Sequence, residues 1–188
     1  MKRYWDQIEI GDAVPKVSRS PITRLQIAQF AAASDDFSPM NLDDEQAKAA
    51  GYNSVFAPGL MALGFAEETL KMFASNMKVL SLTGTFQRLI WPGDVLEIKG
   101  LVLRRYQKNS EHRIQMNIWC ENQLKEVVMR GTCIGLLFKN AQHEEKSQTK
   151  TPAISTATHD ALLKRCAHLI TPSPSKNVPH VSERKELV

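Results

Sequence analysis

The chain has few cysteines and lacks any long apolar run. Its three cysteines, Cys120, Cys133 and Cys166, are odd in number and widely spaced, which fits neither a disulfide framework nor a zinc site and favours reduced, mostly buried thiols. The apolar runs are well short of the roughly 18 residues that a membrane span needs, and residues 1–6 lead into polar sequence instead of the apolar stretch of a signal peptide. We therefore expect a soluble, cytoplasmic protein.

A basic stripe is also missing from most of the sequence. The formal net charge is +4, but eight of the 24 Lys and Arg residues and five of the 20 Asp and Glu residues lie from residue 139 onward. Residues 1–138 are therefore nearly neutral. Because nucleic-acid binding leaves a concentrated positive footprint, no nucleic-acid partner is expected for this part of the chain.

The C-terminal segment, residues 139–188, contains no aromatic residue and no glycine, and is rich in Ser, Thr, Lys and Pro. Such a composition buries too little apolar surface to offset the entropy of ordering the chain. We predict one folded domain over residues 1–138 and a flexible tail over residues 139–188. Within the tail, residues 160–170 have helical apolar spacing, which fits either a transient solvated helix or a short docking helix.

The first half of the body contains helix signals. Thr23 and Gln26 have the spacing of a capping box, which predicts a helix that ends near Ser34. Pro39 disfavours helical geometry at the residue before it, so residues 36–41 are predicted to form an irregular loop. Loops of this kind commonly project functional side chains.

The second half changes to strand patterns. Residues 55–66 are apolar on nearly every side, which predicts a buried helix. Strands are predicted over residues 82–90 and 95–106, and residues 112–120 alternate apolar and mostly polar side chains before a last strand that reaches Phe138. Antiparallel strands that follow one buried helix indicate an α+β protein.

Three segments together resemble one family. Residues 30–41 read FAAASDDFSPMN and resemble the signature of the MaoC-like (R)-specific enoyl-CoA hydratases and 3-hydroxyacyl dehydratases, with Ala47 in the place of a small residue that follows it. Residues 57–61, APGLM, are similar to the family's Ala-His-Gly-Met segment, and residues 86–94, FQRLIWPGD, to its Phe-x-x-Pro-Val-x-x-Gly-Asp turn. The resemblance implies the hotdog fold, a curved antiparallel sheet wrapped around a central helix.

The resemblance also implies site residues. Hydration of an enoyl thioester needs a base, an acid and a hydrogen-bond donor for the thioester oxygen. Asp36 matches the family's catalytic aspartate, but Asn41 stands where the family has histidine, and a carboxamide can orient a water or substrate without exchanging a proton. Ser38 and Pro39 are expected to contact substrate, and the Gly59 amide to bind the carbonyl oxygen. Glycine at this position can equally serve only the turn into the helix.

We predict a hydratase or dehydratase that acts on an acyl thioester, with Asp36 as its acid and base, and two alternatives remain open. Glu67 lies eight residues after Gly59, a spacing similar to that of one class of hotdog thioesterases, although a solvated surface charge explains it as well. The chain can also be a catalytically degenerate subunit that binds the acyl chain for an active partner. His112, the one histidine before residue 139, is predicted to be an exposed turn residue.

The resemblance implies partners as well. Hotdog domains usually pair through their sheets, so a homodimer or a heterodimer is expected. The acyl group is carried by CoA or a carrier protein, and this thioester is a substrate. No metal or redox cofactor is implied.

Overall fold

The computed structural model describes residues 1–150. Its elements in chain order are a 3-10 helix Trp5–Gln7, β1 Val17–Ser18, α1 Arg24–Ser34, α2 Pro39–Leu42, α3 Asp44–Ala49, α4 Gly59–Phe73, β2 Lys78–Phe86, β3 Glu97–Lys108, β4 Glu111–Glu121, β5 Val127–Leu137 and α5 Ala141–Lys150. The helix predicted over residues 160–170 lies outside the described residues. Within residues 1–150, no helix combines the length and apolar character of a membrane span.

The strands form one antiparallel sheet with the order β1-β3-β4-β5-β2. β3 and β4 are joined by a two-residue turn in which Asn109 and Ser110 both have positive φ, 52° and 63°, as the turn of a tight hairpin requires. β2 pairs with β5 on one side, and within the described residues no strand pairs with its other side. The sheet therefore keeps one long free edge.

The core lies between the sheet and α4, which contacts β2, β3, β4 and β5. In β4 the predicted alternation is observed, since its buried apolar side chains are Ile114, Met116, Ile118 and Cys120. Apolar side chains on several sides of α4 are buried as well: Met61, Ala62, Ala66, Leu70 and Phe73. The α+β layout, with antiparallel strands around one buried helix, is confirmed.

The signature segment departs from the prediction of an irregular loop over residues 36–41. Pro39 opens the short helix α2, and Asn41 lies inside it. Proline suits the first position of a helix because the amide hydrogen it lacks has no acceptor there, and the extended conformation of Ser38 (ψ 125°) is the one that a following proline favours.

β2 also ends earlier than predicted, at Phe86 instead of at residue 90. The chain leaves the sheet there, and Ile90 forms an isolated antiparallel bridge with Ala57 just before α4. The apolar character of Ile90 thus reflects burial against the helix entry and not membership of the strand.

The prediction that His112 is an exposed turn residue is wrong. Its side chain is only 9% exposed, and its ring packs against the rings of Trp5 (5.0 Å between centroids) and His143 (5.7 Å). The Trp5 backbone amide donates to the Phe138 carbonyl oxygen at 3.0 Å. The N-terminal segment and α5 thus cover this end of β4, which the local sequence around His112 does not reveal.

The folded domain extends past the predicted boundary at residue 138. Glu144 in α5 is only 7% exposed and accepts hydrogen bonds from Tyr4 Oη (2.8 Å) and Lys2 Nζ (2.9 Å). One compact unit extends over Met1–Lys146. The tail proposed beyond residue 150 lies outside the described residues and stays a prediction.

The two cysteines of the sheet fit the prediction of buried, reduced thiols. Cys120 and Cys133 are free and fully buried, and burial raises the pKa of each thiol to about 12. They therefore stay protonated and unreactive at neutral pH.

The packing of α4 predicts a large cost for truncating its buried face. Leu70→Ala should lower the free energy of unfolding by roughly 2–5 kcal/mol, because it removes a fully buried side chain and leaves a cavity. Leu124→Ala is the matched control, since Leu124 is 71% exposed and should cost less than about 0.5 kcal/mol. Urea unfolding measures both, and equal costs would contradict the central position of α4.

Candidate active site

Asp36 lies on the segment between α1 and α2. α1 begins at the predicted Thr23–Gln26 capping box and ends at Ser34. The next residue, Asp35, adopts the left-handed conformation (φ 54°) that commonly closes a helix. The Asp36 amide still donates to the Ala31 carbonyl oxygen at 3.1 Å, and Asp36 Oδ1 accepts from the Ser38 amide at 3.3 Å. The carboxylate is thus held on a defined turn and is exposed to solvent.

Asn41 has a different environment. Its side chain is only 7% exposed, and Nδ2 donates to the Phe56 carbonyl oxygen at 2.6 Å. Phe56 lies shortly before Gly59, the first residue of α4. The carboxamide therefore connects the signature segment to the start of the central helix. It also gives the Phe56 carbonyl the hydrogen-bond partner that a buried carbonyl needs.

Asp44 forms a second tie that sequence reasoning missed. Its carboxylate accepts from the Val55 amide and from Ser54 Oγ, both at 3.0 Å, and pairs with Arg24 at 2.8 Å. The Val55 amide contributes most, followed by Arg24 and Ser54, and together they lower the pKa of Asp44 to about 2. In the sequence, Asp44 has only the appearance of an acidic residue in the first turn of a helix.

Gly59 opens α4 and has no side-chain cap in front of it, so the first amides of the helix carry the partial positive charge expected at such an end. A Cβ atom at this position would lie 2.6 Å from Cγ of Phe86. The ring of Phe86, itself 43% exposed, thus packs directly against Gly59. Glycine is required here because a side chain of any size would overlap this ring.

The structure brings three sequence segments together at one end of α4. Asn41 contacts Phe56, Ala57 bridges Ile90, and Gly59 contacts Phe86. These contacts join the signature, the helix entry and the turn over residues 86–94, which the resemblance singled out. Ser38 and Pro39, the expected substrate contacts, form the start of α2 within this region.

Glu67 lies apart from this region. It is eight residues after Gly59, which is about 12 Å further along the helix axis. Its side chain is 49% exposed and pairs with Lys71 Nζ at 2.9 Å. This is the arrangement of an ordinary surface ion pair on a helix.

Other cavities and clusters do not coincide with the candidate residues. The face of the sheet that is exposed in this chain carries a groove of about 630 Å³, lined by side chains that include Leu101, Leu103 and Trp119, and no candidate residue lines it. Within residues 1–150, no group of His, Cys, Asp and Glu side chains has the arrangement of a metal site.

Solved structures share this fold. The unliganded R-hydratase PhaJ1 of Pseudomonas aeruginosa is 23% identical, with a TM-score of 0.65 over 73% of this chain and 86% of that one. A MaoC-like dehydratase from Rhodospirillum rubrum is 20% identical, with a TM-score of 0.66 over 73% and 98%. The C-terminally truncated HadBC (3R-hydroxyacyl-ACP dehydratase) complex of Mycobacterium tuberculosis matches at 18% identity and a TM-score of 0.62 over 70% and 98%. The predicted hotdog fold is confirmed.

Fold and signature together define a hotdog protein of the hydratase and dehydratase class. The model of the FAS1-like dehydratase domain region matches residues 9–131, about two thirds of the sequence. The chain belongs to this family, which confirms the resemblance drawn from residues 30–41, 57–61 and 86–94.

One curated relative is a UPF0336 protein of Saccharopolyspora erythraea, which is 43% identical over 58 residues. The match covers 31% of this chain and 37% of that protein's length.

The contact between Gly59 and Phe86 is testable with two glycines of one helix. Gly59→Ala should lower the free energy of unfolding by roughly 1–3 kcal/mol, because the new methyl group overlaps the Phe86 ring. Gly64→Ala is the control, since a Cβ there meets no atom within 4 Å and alanine favours the helix by up to about 1 kcal/mol. Thermal and urea unfolding should separate the two variants. Equal stabilities would show that Phe86 does not occupy this position.

The tie formed by Asp44 predicts a dependence on pH. Its pKa of about 2 in the folded chain lies below the ordinary value of 3.8, so its stabilising contribution is complete above about pH 4 and is lost as the pH falls through about 2. Asp44→Asn should therefore be less stable than the unmodified chain at pH 5, with the difference shrinking toward pH 2. Urea unfolding across this range measures it. Asn53→Ala, a neutral exposed neighbour, provides the control, and a pH-independent difference for Asp44→Asn would contradict the assignment.

Proposed function

We propose that this chain is the acyl-thioester-binding subunit of a hydratase/dehydratase pair, in which a second hotdog subunit supplies the acid-base histidine. The reaction is the reversible addition of water to an enoyl group carried by CoA or a carrier protein. The observation that carries the proposal is the environment of Asn41, which is buried and donates to the Phe56 carbonyl oxygen.

Asn41 cannot exchange a proton at neutral pH, because a carboxamide has no titratable group in that range. Nδ2 of Asn41 is also already engaged, because it donates a structural hydrogen bond to the Phe56 carbonyl oxygen. Without a histidine the site lacks a proton-transfer group of the kind that contributes on the order of 10² to 10⁴ in rate. An imidazole here can donate the same hydrogen bond through one ring nitrogen and exchange a proton through the other.

The remaining parts of the site favour binding. The amides at the start of α4 offer a hydrogen-bond donor for the thioester oxygen at Gly59. Leu60 and Phe86 beside it are 55% and 43% exposed, and supply apolar surface for an acyl chain. Ser38 and Pro39 shape the start of α2 next to this surface.

The free edge of β2 supports the pairing. Along this nine-residue strand, the backbone amides and carbonyls that point away from β5 have no strand partner within the described residues, and natural proteins usually protect such an edge. A homodimer would repeat Asn41 in both copies, so a heterodimer is proposed. The HadBC 3R-hydroxyacyl-ACP dehydratase, which is a complex, provides a precedent for such an assembly. The cytoplasmic location stays a prediction.

A second candidate is a hydratase that works alone with Asp36 as its only acid and base. The exposure of Asp36 and its fixed turn favour this reading, because the carboxylate is open to water. The thioesterase reading through Glu67 has no such support, since that side chain is paired with Lys71 on the helix surface. It stays as an outcome that the experiment can detect.

The test uses the full chain and two thioesters. Butyryl-CoA, which cannot be hydrated, should bind saturably, while crotonyl-CoA should show neither loss of the enoyl absorbance nor release of thiol. Asn41→His should raise hydration by on the order of 10² to 10⁴, and Asn41→Gln, which keeps the carboxamide, should not. Adding Asp36→Ala to the Asn41→His chain should remove the gain.

Each other outcome identifies a rival. Hydration by the unmodified chain that Asp36→Ala abolishes would show a self-sufficient hydratase. Thiol release that Glu67→Ala abolishes would show a thioesterase. Failure to bind butyryl-CoA would reject thioester binding altogether.

A further inference from the structure

A cavity of about 320 Å³ lies near the far end of α4, away from the candidate active site. Its lining includes Asn76, His112 and the apolar side chains Leu136, Leu137 and Phe138. Because α4 spans 15 residues, its two ends are about 22 Å apart. The cavity volume is at the lower end of the range for ligand sites, which suits a small molecule.

Two polar atoms in this lining lack partners. His112 is only 9% exposed, and its Nδ1 is buried with no hydrogen-bond partner among the described residues. Asn76 Nδ2 is in the same condition, and the orientation of its amide is fixed because Oδ1 accepts from the Arg3 amide at 3.0 Å. Buried polar groups without partners are rare and costly, so two in one cavity indicate a ligand that accepts hydrogen bonds.

Two residues of the lining suit an anion, His112 as a neutral hydrogen-bond donor and Lys78 as a positive charge. Burial lowers the pKa of His112 most, and the neighbouring charges of His143 and Lys139 lower it further, while Asp6 opposes them. A neutral imidazole can carry its hydrogen on Nδ1 and donate it. Lys78 lies at the cavity and is exposed.

The acidic residue of the lining does not reverse this balance. Glu111 is paired with Arg113, which donates to its carboxylate through Nε at 2.9 Å.

We propose that this cavity binds a small monocarboxylate with a short apolar body. The carboxylate accepts hydrogen bonds from Asn76 Nδ2 and His112 Nδ1, with Lys78 beside it, and the apolar body packs against Leu137 and Phe138. The site is separate from the thioester site and does not depend on the proposed function.

Sodium hexanoate is the probe, titrated into the full chain by calorimetry. Saturable binding with one site per chain is expected, and hexan-1-ol, which has the same apolar body without the charge, should bind more weakly. Asn76→Asp keeps the acceptor for Arg3 but replaces the donor with a negative charge. It should weaken hexanoate binding at least about tenfold, since a hydrogen bond to a charged group is lost.

Two further variants separate binding from folding. Lys78→Gln should weaken hexanoate binding, whereas Lys16→Gln, an exposed lysine before β1, should not change it. His112→Phe keeps a ring against Trp5 but removes Nδ1, so its thermal midpoint without ligand should be unchanged or higher, because an unpaired buried polar atom is removed. Hexanoate binding by this variant should nevertheless be weaker.

Three results would overturn the proposal. The first is no saturable hexanoate binding by the unmodified chain. The second is hexanoate binding that survives both Asn76→Asp and His112→Phe. The third is displacement of hexanoate by butyryl-CoA, which would place the carboxylate in the thioester site. The first two results do not bear on whether butyryl-CoA itself binds, so they leave the proposed function untouched.

Discussion

The structure depends on one constraint: most apolar side chains of a single helix, α4, are buried against a sheet that contacts the helix through four strands. The helix must therefore be apolar around much of its circumference, and Leu70 and the other buried residues of α4 meet this requirement. Burial of this surface supplies the main favourable free energy of the domain. It also fixes the positions of both helix ends, where the two proposed binding sites lie.

At the N-terminal end of α4, hydrogen bonds fix the backbone position of the segment before the helix, which burial of apolar surface does not determine. Asn41 holds the Phe56 carbonyl, and Asp44 holds the Val55 amide. Both ties fix the segment that leads into Gly59. Asn41 stands at the position that carries histidine in the MaoC-like signature. It makes a structural hydrogen bond but cannot transfer a proton. Under the proposed function, the site keeps its shape while a second subunit supplies the acid-base chemistry.

The sequence predicted features that depend on local pattern and missed those that depend on contacts between distant segments. The alternation in β4 and the apolar character of α4 are local, and both predictions are confirmed. His112 was placed wrongly because Trp5 and α5, which cover it, are remote in sequence. The tie of Asp44 to Val55 was missed for the same reason, as was the packing of Phe86 on Gly59. Motif resemblance located the candidate site, but only the structure distinguished exposed Asp36 from the buried carboxamide beside it.

The free edge of β2 exposes the chain to incorrect strand pairing and aggregation in the cell. Within the described residues, one edge of this nine-residue strand is uncovered, and such an edge is a template for any extended segment with a suitable apolar pattern, including another copy of the chain. Exposed Leu80 increases this hazard, and only Lys78 at the start of the strand places a charge against it. If the proposed partner subunit covers this edge, the chain benefits when both are synthesised at the same time and in matching amounts, because the correct neighbour then pairs before an incorrect one does. Under the proposed pairing, the edge used for assembly would therefore link the amount of this protein that can accumulate without aggregating to the amount of its partner.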